Sequence, residues 1–219
     1  MSFGGTIGLI LAKDILVELR TREVVVTMGL FALLLVIVFA FAFHVDMERA
    51  RDITPGILWV VVLFSATVGL SRVFDRERQG GCLDVILRVP AGPQAVYIAK
   101  VLGVLIFTTL VLIVTVPLML VFLGVSVPSE GIGLFIVALA LGMFGFTCVG
   151  TLVAGMLSSS RLRDVLLPVI VYPLVVPVVI AGVELSHVAL GGGLPGEEIM
   201  WLKLMIGFDM LFAVIPVWL

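Results

Sequence analysis

Six separate stretches of this chain are each long and apolar enough to cross a bilayer, near residues 24–43, 55–73, 99–123, 131–157, 165–185 and 200–219. A hydrocarbon core about 30 Å thick calls for about 20 apolar residues of α-helix at 1.5 Å per residue. Water is absent there, so each span must satisfy its own peptide groups, and the helix does so within one segment. Composition agrees: 62% of the 219 residues are hydrophobic and 13% charged, whereas soluble domains run near half and about a quarter. The expected fold is all-α and integral to the membrane, with residues 1–219 forming a single transmembrane domain.

Local signals refine the spans. Thr54-Pro55-Gly56 reads as a helix cap followed by proline at the first helical position, which would start the second span there. Pro168, Pro173 and Pro177 predict a kinked or partly broken fifth span. The hydrophilic connections are 44–54, 74–98, 124–130, 158–164 and 186–199. Lys13, Arg20 and Arg22 precede the first span. Arg72, Arg76, Arg78, Arg88 and Lys100 lie in or beside the second connection, and Arg161 and Arg163 in the fourth. Only Arg49, Arg51 and Lys203 fall on the other side. The positive-inside rule then puts both termini, 74–98 and 158–164 in the cytoplasm. The N-terminus lacks a basic start and cleavage site, so the first span is expected to direct insertion.

Residues 1–23 form a shorter pattern. Lys13, Asp14 and Glu18 share a narrow polar face, while Ile7, Ile10, Leu11, Ile15 and Leu19 gather elsewhere. This predicts an amphipathic helix in the cytoplasmic interface, with Glu18 positioned to pair with Arg22 one turn on. The second connection has an apolar face of its own. Charged residues lead into Gly80-Gly81, then Leu83, Ile86 and Leu87, then Pro90. A loop that only reverses the chain needs no such face, so this one is expected to dock onto something in the aqueous phase.

Other chemistry is absent. None of the three lysines is followed by Ser or Thr, so there is no Walker A phosphate loop, and HExxH, paired CxxC and GxSxG are missing. The chain is expected to be no enzyme, with any ATP hydrolysis supplied by a partner. Cys82 and Cys148 fall at different depths, which argues against both a disulfide and a metal site.

Glu77, Gly81-Cys82-Leu83-Asp84, Ile86-Leu87 and Pro90 resemble the acidic-Gly-x-Leu-acidic-x-Leu-Leu-x-x-Pro signature of type-2 ABC exporter permeases. In that superfamily the segment is a cytoplasmic coupling helix seated in a cleft of the nucleotide-binding subunit. The resemblance therefore implies an ATPase-coupling interface of Glu77, Gly81, Leu83, Asp84, Ile86, Leu87 and Pro90, and makes the leader a connecting helix. Here Gly80-Gly81 doubles the usual glycine and Asp84 replaces the commoner glutamate, keeping its charge.

Within the superfamily the chain is similar to the CcmB family, the heme exporter B permeases of cytochrome c maturation. ELRTRE at 18–23, TPGILWV at 54–60, RDVLLPVIVYPLVVPVVIAGVE at 163–184 and WLKLMIGFDMLF at 201–212 carry the likeness. It implies a subunit of the bacterial inner membrane, in two copies, partnering the ATPase CcmA with CcmC and CcmD. It further implies that the complex handles heme and releases the heme-loaded chaperone CcmE on the periplasmic side. Export of lipid, polysaccharide or drug is the alternative for a type-2 permease, and a non-transporting scaffold the alternative of another class. An autonomous secondary transporter would show paired midplane acids and an internal repeat, and the sequence has one such acid and no evident repeat.

That acid is Asp209, near mid-membrane in the last span. A carboxylate there costs about 2.5–3.5 kcal/mol on insertion scales, so a function or a buried partner is expected. His44 and His187 both map to the outer boundary. Histidine is a common heme-iron ligand and also an ordinary interfacial residue, and both readings of these two stay open.

Overall fold

The structure, a computed structural model, describes residues 3–43, 47–79, 92–157, 160, 162–193 and 196–218. These form seven helices: α1 (Phe3–Thr21), α2 (Glu23–Ala42), α3 (Met47–Gln79), α4 (Gly92–Leu123), α5 (Ile132–Met156), α6 (Arg163–Ala189) and α7 (Glu197–Trp218). Six of them, α2 to α7, are long and apolar enough to cross a membrane, so this is an all-α, multi-pass membrane protein. Among the described residues there is no strand.

Hydropathy located the spans but not the full helices. α3 runs from Met47 to Gln79, and Pro55 lies inside it. Thr54 therefore does not start the helix as its cap. Its hydroxyl turns back and donates to the Ala50 carbonyl at 2.6 Å, the i−4 bond a threonine makes within a helix. α4 likewise begins at Gly92, before the expected start of its apolar run. α6 is a continuous helix through Pro168, Pro173 and Pro177, which corrects the expected partial break. Each proline removes one backbone donor, and the bonds on either side, with packing against α3, α5 and α7, carry the helix through.

α3 is the central element and packs on α2, α4, α5 and α6. α7 packs on α5 and α6, and α1 chiefly on α4. At the centre is Trp59, 1% exposed. Its ring occupies a notch opened by two glycines, Gly142 on α5 and Gly182 on α6, where a Cβ would collide with the indole. The indole Nε1 donates to the Ser186 hydroxyl at 3.0 Å, which satisfies the one polar atom that burial of a tryptophan brings with it. Outward faces stay apolar: Leu30, Leu34 and Phe41 on α2, and Ile113, Val114 and Val121 on α4, are all exposed. In lipid such a surface needs no cover.

Candidate functional site: the end between α3 and α4

The segment singled out in the sequence lies between α3 and α4. Glu77 falls in the last turns of α3, while Gly81, Leu83, Asp84, Ile86, Leu87 and Pro90 lie outside the described residues. The helices that deliver and receive this segment are held by polar contacts to their neighbours.

On the delivering side, α3 is tied to two neighbours. Arg163, the first residue of α6, is 1% exposed, and its Nη2 donates to the Ser71 carbonyl of α3 at 3.1 Å. Arg72 reaches Glu23 of α2 at 3.5 Å. Both groups of that pair are about half exposed, where such a contact contributes about 0–1 kcal/mol. The Arg163 bond is the firmer of the two, because a buried guanidinium has no water to fall back on.

On the receiving side, Lys100 of α4 is 1% exposed, and its Nζ lies 2.7 Å from Asp14 Oδ2 of α1. The other carboxylate oxygen of Asp14 is 3.2 Å from Lys13 Nζ. Ile7 and Ile10 of α1 pack beside this pair on Val96 and Ala99 of α4. Glu18 is buried as well, and its Oε1 accepts from the Val25 backbone N–H at 2.9 Å in the first turn of α2. Asp14 and Glu18 of α1 thus point inward, while Lys13 is exposed and Leu9, Leu16 and Leu19 face outward. Between α1 and α2, Arg22 has φ 52°, the left-handed region. The junction remains hydrogen-bonded, with Arg22 N donating to Glu18 O at 2.7 Å and Val26 N to Arg22 O at 3.1 Å.

Tyr97 bridges three helices near the same end. Its hydroxyl lies 3.1 Å from the Cys148 carbonyl on α5 and 3.5 Å from the Phe212 carbonyl on α7. One turn from Phe212 is Asp209, only 5% exposed. Its carboxylate lies against Gly145 of α5, at a place where a Cβ would meet Oδ1. Neither carboxylate oxygen has a hydrogen-bond partner among the described residues.

At the opposite end, His187 Nε2 is 3.4 Å from Asp52 Oδ1. His44 lies outside the described residues, so nothing places the two histidines together. Among the described residues, no group of three or more His, Cys, Asp and Glu side chains could hold a metal ion.

Lys100 and Arg163, which in the sequence count as topology charges, are both buried. A signal existed for Lys100, which falls within the apolar run of α4 between Ala99 and Val101. For Arg163, at the border of a hydrophilic connection, there was none.

The sequence model of the CcmB protein family matches residues 6–217. Heme exporter protein B of Rhodobacter capsulatus is 32% identical over 156 residues, covering 71% of this chain and 70% of that protein. The protein of the same name from Pseudomonas aeruginosa is 24% identical over 194 residues, covering 89% and 86%. That from Bradyrhizobium diazoefficiens is 29% identical over 185 residues, covering 84% and 82%.

Proposed function

Because the chain belongs to the CcmB protein family, we propose that it is the membrane permease subunit of an ABC transporter complex serving cytochrome c biogenesis. The family match over residues 6–217 carries this reading, and the name shared by its relatives, heme exporter protein B, supports heme as the group the complex handles. In this reading CcmA supplies ATP hydrolysis from the cytoplasm, and CcmC, CcmD and a second copy of this chain complete the membrane assembly. Hydrolysis drives release of heme-loaded CcmE on the periplasmic side. The family supports the bacterial inner membrane as the location, and the distribution of basic residues supports both termini being cytoplasmic.

Residues 77–90 are the contact with the ATPase. Their apolar residues Leu83, Ile86 and Leu87 have no use in an aqueous loop unless a groove receives them, and Glu77 and Asp84 set the register. The chain enters and leaves this contact through α3 and α4, both of which continue as helix beyond their apolar runs.

The test is the double substitution Gly81→Val with Leu83→Asp. It adds a β-branched side chain at the tight turn and an unpaired charge in the groove. The subunit should insert at its normal level, co-purify poorly with the ATPase, and leave cells at least tenfold low in c-type cytochromes. Unchanged association, turnover and cytochrome formation would overturn the coupling assignment and favour a scaffold.

A further inference from the structure

Asp14 and Glu18 stand one turn apart on α1, and each grips a different helix. Asp14 holds α4 through Lys100 at 2.7 Å, and Glu18 holds the first turn of α2 through the Val25 N–H at 2.9 Å. We propose that α1 is a strut that carries displacement of the cytoplasmic end of α4 to α2, with Asp14, Lys100 and Glu18 as its positioning residues. The proposal rests on the reading of residues 77–90 as the ATPase contact.

The argument is one of adjacency and stiffness. α4 starts at Gly92, directly after that segment, so a push on the segment arrives first at the stretch from Val96 to Lys100. That stretch is where α1 is attached, by the packing of Ile7 and Ile10 and by the ion pair. Lys100 is 1% exposed and the Asp14 side chain 12%. Opposite charges removed from water attract strongly and separate at a high desolvation cost, so the pair resists being pulled apart. α1 must then follow α4.

At its other end the carboxylate of Glu18 satisfies an otherwise unpaired N–H of α2. The positive end of the α2 dipole favours a negative group at that place. Arg22, in the left-handed region, sets the bend between the two helices. Among the described residues the long α1·α4 face is the main attachment of the strut, and α1 touches α2 over a much shorter stretch.

The experiment uses the whole complex with its ATPase. Asp14→Leu with Lys100→Met removes both charges together and leaves no unpaired one buried, so the subunit should fold and keep its ATPase. Hydrolysis should stay within about twofold of the unsubstituted complex, while c-type cytochrome formed per assembled complex falls at least tenfold. Lys100→Arg keeps the pair and Glu18→Gln keeps the acceptor; both should retain more than about a third of cytochrome formation, whereas Glu18→Leu should not. Retained cytochrome formation in the neutral pair, or a loss that merely tracks the amount of assembled complex, would overturn the strut. The Gly81→Val, Leu83→Asp variant run alongside separates the two readings. If it too is without effect, the ATPase contact falls and the strut with it; if it alone is defective, only the strut falls.

Discussion

At the scale of single residues, the chain spends its small side chains where a large one must enter. Trp59 fits only because positions 142 and 182 carry no Cβ. Gly182→Val should overpack the notch and destabilise the subunit by about 1–3 kcal/mol. Trp59→Phe removes the bond to Ser186 and should cost about 1 kcal/mol. Gly182→Ala combined with Trp59→Leu should cost at least about 1 kcal/mol less than the sum of its parts, because the two changes compensate in size. Thermal unfolding in detergent reads all of these, and strict additivity would mean the two sites do not share the notch. The sequence did not disclose this arrangement. Gly142 and Gly182 are two among 23 glycines, and nothing local to either points to a tryptophan on a distant helix.

At the scale of elements, Asp209 sits where α7 meets α5, with its carboxylate against Gly145 and both oxygens unpartnered among the described residues. A buried polar group without a partner destabilises by about 1–3 kcal/mol, so packing alone gives no reason to keep it. Asp209→Leu should leave the isolated subunit at least as resistant to unfolding as the natural one. Asp209→Asn should behave alike in that assay. In cells the Leu variant should lower recovery of the assembled complex or formation of c-type cytochromes by about tenfold. Normal values for both variants would leave the acid without a role.

The acid itself was legible in the sequence because a lone charge stands out in an apolar run. Helix ends were less so. Hydropathy sees the part of a helix that lies in lipid, and α3 and α4 continue well past it. The Thr54-Pro55 signal was a real local preference that the longer helix overrode. The burial of Lys100 had a local signal, but its partner Asp14 is 86 positions away in the chain, which no local pattern records.

At the scale of the whole molecule, the count and order of spans follow from lipid's demand that backbone groups be satisfied within each helix. That is why six spans could be read from the sequence alone. Orientation has its own measurement, which uses the two cysteines. Cys148 is buried in α5 and should resist an impermeant maleimide from either face. Cys82 should react only from the cytoplasmic side, and labelling in intact cells would reverse the proposed topology.

The filled centre of the bundle has a consequence for traffic. Among the described residues, Trp59, Phe146, Leu70 and Met28 fill the centre of the bundle, and a cargo passing there would have to unseat a tryptophan held by two helices. Two open hollows lie elsewhere among the described residues: an apolar furrow of about 430 Å³ between α4 and α5, and another of about 220 Å³ between α3 and α6. In the complex proposed above, a route for cargo would therefore run along the flank of this subunit, with its second wall supplied by another chain or by the lipid.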